Sequence, residues 1–303
     1  EFDTERDSFN DLLKNAKFSL HAAKLNGKNR CEIFDSVNYM EYIKKLGIQD
    51  ELRRCISEGF EGFELYFQPI YNPQNDKLSG AEALIRWNCS KYGFMEPDKF
   101  IPLLEESALI IPLGRWIIDT AAKACNRWIT NIPDFVMHIN LSFVQIVKSN
   151  IIKDVLERIG RYSAANNHYV FEITETIEMD RIPAVERVFK EFIKNDFRLA
   201  IDDFGTGYSN YGYMRDKIFD IVKVDRSFIT DIDKQRNNYL MVSFIIKMAH
   251  EMGLHVCIEG VETKEELACV RELGADYIQG YYYGKPVCVA DFEEQHLKKL
   301  ILG

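Results

Sequence analysis

The stretch FRLAIDDFGTGYSN, residues 197–210, sets two adjacent carboxylates, Asp202 and Asp203, directly after an apolar run and directly before a loop carrying Gly205 and Gly207. A short apolar run closed by a glycine-bearing turn reads as a buried strand, and a strand buried on both faces needs partners on both sides. Such partners recur along the chain. Strands are expected at Phe63 to Asn72, Leu78 to Asn88, Phe135 to Ser142, Tyr169 to Thr176, Arg198 to Gly205, Ile221 to Asp225, His255 to Glu262 and Tyr277 to Tyr283. The segments between them have helical spacing. PAVERVFKEFIKN puts Val185, Val188, Phe189, Phe192 and Ile193 on one face, and TKEELACVRELG opens on a Thr263–Glu266 capping box and closes at Gly274. Eight strands alternating with helices predict an α/β fold, a TIM-like (β/α)8 barrel. An open doubly wound sheet is the alternative, but it usually has fewer strands and a glycine fingerprint after the first, and no such fingerprint is present.

The 303 residues, 47% of them hydrophobic, suffice for a full core. No stretch approaches the roughly 18 consecutive apolar residues of a membrane span, and the opening EFDTERDSFN is too acidic for a signal peptide. A soluble, cytoplasmic protein without membrane contact is therefore expected. Seven cysteines, odd in number and without a CxxC pair, argue for reduced thiols rather than a disulfide framework or a zinc site. A net charge of −9 argues against DNA as a partner while leaving room for a local positive pocket that takes a small anion.

Neighbouring strand residues face opposite ways, so parity sorts the polar groups. Asp202 shares a face with Ala200, Lys223 with Asp225, Glu259 with Cys257, Glu82 with Arg86, and Asn140 with Ser142; Glu172 opposes Phe171 and Ile173, and Gln279 lies at the start of YIQGYYY. The polar set is the inward set, and most of it falls at carboxyl ends of strands, where barrel enzymes build their sites. Taken singly, an acid at a strand end is most often solvated or salt-bridged, and for Asp202 and Asp203 plain turn formation ahead of Gly205 competes. Taken jointly, Glu82, Glu172, Asp202, Asp203 and Glu259 would repel one another, with only Lys223 and Arg86 to offset them. Hard divalent cations are the natural remedy, with a shared carboxylate bridging two of them.

FQPI (67–70), GAEALIRW with its Glu82-Ala83-Leu84, HINLS, FEITE, DDFGTGYS, VKVD, IEGVET and QGYYYGKP occur in the order of the EAL domain, the cyclic di-GMP phosphodiesterase family, which the chain resembles over about residues 63 to 287. The resemblance implies a barrel with an antiparallel first strand, two Mg²⁺ or Mn²⁺ ions per site, and hydrolysis of cyclic di-GMP to linear pGpG by a water activated between the ions. It implies Glu82, Asn140, Glu172 and Asp202 as ligands of one ion and Asp202, Asp203 and Glu259 as ligands of the other. Lys223, Gln279 and Glu259 take catalytic roles on this reading, and Arg86, Gln68, Asn140, Asp225 and Tyr282 face the substrate. Tyr281, Tyr282 and Tyr283 are the candidates to stack on guanine, with core or rim packing at least as good a reading for two of the three. Glu175, of opposite parity to Glu172, is expected to serve catalysis by holding the DDFGTGYS loop. A homodimer is expected through the region near the 202–214 loop. A silent receptor that binds cyclic di-GMP without hydrolysing it is the alternative; such proteins typically lack a metal ligand or the DDFGTGYS loop, and every such position is filled here. Residues 1–36, with FNDLLKNAKFSLHAAKLNGKNRCEIFD at 9–35, resemble the last helix and strand of a GGDEF domain. Residues 37–58 then read as a linker helix and 59–303 as the barrel.

Overall fold

The computed structural model describes residues 8–25, 27–175, 183–206 and 218–298. Ten strands form one sheet: β1 (Phe63–Asn72), β2 (Lys77–Cys89), β3 (Gly93–Met95), β4 (Val136–Asn140), β5 (Tyr169–Thr174), β6 (Arg198–Phe204), β7 (Ile221–Val224), β8 (His255–Glu259), β9 (Tyr277–Gln279) and β10 (Val287–Cys288). Their order is β10-β1-β9-β8-β7-β6-β5-β4-β2-β3, and a further β1–β2 pairing closes eight of them into a barrel. β1 runs antiparallel to both β2 and β9, whereas the pairs from β2–β4 round to β8–β9 are parallel. Each of the eight expected strands is in the barrel wall. β3 and β10 are short antiparallel additions on β2 and β1.

Several strands stop earlier than the apolar pattern suggests, and the cause is local backbone chemistry at the mouth. β8 ends before Gly260, whose φ of +73° suits glycine and whose missing Cβ would meet Arg226 Cβ at 2.3 Å. β9 ends before Gly280, where a Cβ would lie 2.1 Å from Val261 O. β4 ends at Asn140 because Ser142 caps the helix Phe143–Lys148, in a capping box with Gln145.

Helices ring the wall and bury one face each, as in Pro183–Lys194, where Val185, Phe189 and Phe192 are buried. Inside the barrel a smaller apolar layer, Ile70, Val170, Ala200, Ile221 and Cys257, lies toward the amino-terminal ends of the parallel strands. The polar inward residues stand above it.

Two N-terminal helices, Phe9–Leu25 and Ser36–Ser57, precede the barrel, and an aromatic cluster of Phe18, Phe34, Tyr39 and Tyr42 joins them. The strand expected within residues 9–35 does not form: residues 31–35 connect the helices without strand pairing. The second helix is more than a connector, since Ile48, Leu52 and Cys55 are part of the barrel's main core.

Asp276, just before β9, ties the base of the wall together by accepting from Val256 N at 2.8 Å and pairing with His250 Nε2 at 2.8 Å. Burial pushes its carboxyl up, but hydrogen bonds from His255, His250 and Val256 outweigh that and leave it at about 2. A depressed native value stabilises the fold above the ordinary carboxyl range and loses that effect as pH falls toward 2. Asp276→Asn is expected to lower stability by about 1–2 kcal/mol at neutral pH, with the gap to the unsubstituted chain closing between about pH 4 and 2 in urea titrations. A gap independent of pH would refute the assignment.

Candidate functional site

The carboxyl ends of the parallel strands converge on Lys223. Its ammonium, on β7 and 1% exposed, lies 3.2 Å from Glu82 Oε2 on β2, 2.8 Å from Glu172 Oε2 on β5, 3.2 Å from Asp202 Oδ1 on β6 and 2.7 Å from Glu259 Oε1 on β8. Parity alone brings these four acids to one place. Asp203, their neighbour, should face outward but does not. Its backbone is left-handed (φ 55°), and the β6–β7 register slips between Ile201 and Phe204, so two successive carboxylates turn toward the mouth. Aspartate tolerates this conformation better than most residues. Ligand oxygens of Asp202, Asp203 and Glu259 come within 4.8 Å of one another.

A second set of groups orients these acids. Asn140 Nδ2 donates to Glu82 Oε1 at 2.6 Å, and Gln279 Nε2 to Glu82 Oε2 at 2.7 Å and Gln68 Oε1 at 3.0 Å. His138 Nδ1 pairs with Glu172 Oε1 at 2.7 Å. Glu175 stays apart from the acidic cluster, as its parity requires: its Oε2 accepts from Gly205 N at 2.7 Å and its own N–H donates to Asp202 O at 2.9 Å, clasping the start of the loop after β6. The expected dimer contact near 202–214 falls largely on residues 207–217, which lie outside the described residues.

Electrostatics set the acids apart from one another. Burial alone would lower Lys223, yet the surrounding carboxylates hold it well above its ordinary value. Burial pushes Glu82 up, but the Lys223 charge and hydrogen bonds from Gln279, Asn140 and Lys223 prevail and bring it to about 2. One ammonium cannot do this for all. Burial holds Glu172 well above the carboxylate range, raises Asp202, and takes Asp203 to about 6 and Glu259 to about 8. Burial and the Lys223 charge bring His138 down to about 3. Such a cluster has spare capacity for positive charge.

Two cavities meet the cluster. One, of about 270 Å³, is lined by Gln68, Asp202, Asp225, Glu259, Gln279 and Tyr281. The other, of about 440 Å³, is more apolar and includes Arg86, Asn140 and Glu172 in its lining. Asp225 also caps a short turn through Ser227 N. Of the three tyrosines after Gly280, Tyr281 lines the mouth and Tyr282 packs edge-on against Tyr283. Arg86 stands four residues beyond Glu82, over the Tyr66 ring at 5.5 Å. His138 shares a face with Asn140 in VMHIN, so strand parity alone places it inward, although the sequence carries no further signal that marks it out.

All the gathered acids and amides offer oxygen, which suits a hard divalent ion, and Gln279 Oε1 is buried without a hydrogen-bond partner among the described residues. Removing the buried ammonium at the centre of these acids should be costly. Lys223→Met is expected to lower stability by about 3 kcal/mol in chelator-treated buffer, read from urea unfolding, because the acids lose their shared partner. Unaltered stability would show that the acids do not depend on it.

The EAL domain model matches residues 49–286. Signaling protein YkoW of Bacillus subtilis is 32% identical over 285 residues, covering 94% of this chain and 35% of that protein. Cyclic di-GMP phosphodiesterase NbdA of Pseudomonas aeruginosa is 31% identical over 285 residues, covering 94% of this chain and 36% of its own length. The chain thus spans about a third of these two relatives. Among solved structures, the PaMucR phosphodiesterase in complex with c-di-GMP superposes with a TM-score of 0.76 at 28% identity, covering 81% of this chain and 99% of that one. The cGMP-bound form of EAL enzyme Bd1971 gives 0.80 at 29% identity, covering 95% and 75%.

Proposed function

This chain belongs to the EAL domain family, and on that premise we propose that it is a metal-dependent phosphodiesterase that hydrolyses cyclic di-GMP to linear pGpG. The observation that carries the reading is the gathering of Glu82, Glu172, Asp202 and Glu259 about Lys223, with Asp203 turned in beside them. Relatives named as cyclic di-GMP phosphodiesterases and a neighbour solved with c-di-GMP support the substrate.

Asp202, Asp203 and Glu259 would hold one Mg²⁺ or Mn²⁺, and Glu82, Glu172, Asp202 and Asn140 a second, Asn140 by its side-chain oxygen. When bound, the ions supply activation of water and neutralisation of charge on the phosphoryl group. Lys223, buried and cationic, stabilises negative charge growing on phosphorus-bound oxygens. Arg86 offers a planar pair of donors to a non-bridging oxygen pair, and Gln279 and Gln68 fix the polar floor of the mouth. Tyr281, half exposed at the rim, offers a ring face to guanine. Glu175 acts at one remove by fixing Gly205 and with it the backbone that aims Asp203. The loop beyond Gly205 is the expected dimer contact, which would link association to the same carboxylates.

Purified chain incubated with Mn²⁺ and cyclic di-GMP is expected to yield pGpG, and Asp202→Ala to abolish the product. Intact substrate with tight binding retained would move the assignment to a silent receptor. Glu175→Ala is expected to weaken Mn²⁺ binding and turnover together, by about tenfold, since one hydrogen bond to a charged group is lost. Equal metal titrations and turnover in that variant would separate Glu175 from the site.

A further inference from the structure

The barrel has a second opening that the hydrolytic reading does not use. A cavity of about 460 Å³ sits at the amino-terminal ends of the parallel strands, on the face opposite the carboxylates, and includes Gly80, Val136, Arg198, Ile221 and Tyr277 in its lining. That is the size of a small-molecule site. The interior floor between this cavity and the carboxylates is mostly apolar: Ile70, Val170, Ala200, Ile221 and Cys257. His138 interrupts it. The ring is 4% exposed, lines the cavity, and pairs through Nδ1 with Glu172 at 2.7 Å. Its Nε2 has no hydrogen-bond partner among the described residues.

The polar groups around this cavity are mostly donors. Asn72 and Asn75 spend their side-chain oxygens on the N–H groups of Gln74 and Lys77, at 2.9 and 3.0 Å, so their amide NH₂ groups remain to offer. Arg198 gives Nε and Nη2 to Asn167 O at 3.1 and 2.6 Å and keeps Nη1. Lys77 adds an ammonium, against Asp134 as the one carboxylate in the lining. A ring of N–H donors beneath a histidine nitrogen complements an anion whose oxygens are both bare and protonated.

We propose that this cavity binds a small phosphate-class anion between Arg198, Asn72, Asn75 and His138 Nε2, and that its occupancy reaches Glu172 through the His138 ring. Inorganic phosphate and the phosphate ester of a small metabolite share this chemistry. The binding half stands apart from the phosphodiesterase reading; the coupling half rests on it.

The test uses the full chain labelled with ¹⁵N-histidine in chelator-treated buffer, with the His138 signal assigned from His138→Phe. Inorganic phosphate and glycerol phosphate are titrated separately against chloride at equal ionic strength. A saturable shift of the His138 nitrogen is expected with at least one of the two, the tighter of them marking the source. Arg198→Gln should weaken binding by about tenfold. Asn75→Asp keeps the oxygen that Lys77 N–H needs while replacing a donor with a charge, and should weaken binding at least as much. No saturable shift, or equal binding in both variants, overturns the site. For the coupling, the same ligand should change turnover of cyclic di-GMP in the unsubstituted chain and not in Asn75→Asp, whose basal rate is expected to stay as it was. An effect that persists in Asn75→Asp would place the anion at the catalytic mouth and overturn the coupling. A chain that hydrolyses nothing defeats the phosphodiesterase reading, and the histidine shifts still decide the pocket.

Discussion

One ammonium held within 3.2 Å of four carboxylates is the constraint on which the upper half of the barrel depends. Lys223 and its partners come from five strands, so the cluster forms only when the wall closes with each strand in register. Desolvating charge inside a protein is costly unless the geometry is good and the remaining lone pairs are met. Here Asn140, Gln279 and His138 meet several of them. The result is a cluster of carboxylates whose directions are set by hydrogen bonds from side chains on neighbouring strands.

Most of the architecture was legible because barrel strands obey a simple rule. Alternation assigns each side chain to the wall's inside or outside, and the eight apolar runs gave both the strand count and the inward identity of Glu82, Glu172, Asp202, Lys223, Glu259 and Gln279. The antiparallel first strand came from family resemblance, not from alternation. What alternation could not deliver is anything that depends on its breakdown. Asp203 reaches the mouth through a positive φ and a slipped register, and the signal for that is only a second acid ahead of a glycine. Strand ends were overrun at Gly260, Gly280 and Ser142 for a similar reason, since apolar residues continue past the point where the backbone turns away. Tyr281 and Tyr282 could not be separated either, because they follow Gly280 and lie beyond the strand.

The N-terminal region marks another boundary of such reading. The helix Ser36–Ser57 carries only a weak apolar stripe and reads as a connector, yet its second half is core. Ile48, Leu52 and Cys55 are spaced four and three apart, which suffices to dock one side of a helix while the rest stays in water. The family model begins at residue 49, inside this helix.

The reversed direction of β1 has an outcome of its own. In a barrel wound wholly in parallel, every strand-to-strand crossover needs a helix. Here Asn72 and Lys77 pair directly across a four-residue hairpin at the barrel's underside. That places a tight, side-chain-stapled turn where such barrels normally receive a helix-to-strand connection. Variation there would reshape the underside and be felt beyond it, because Asp76 of that turn accepts a hydrogen bond from the Tyr283 hydroxyl, two residues past the Tyr281 that lines the mouth.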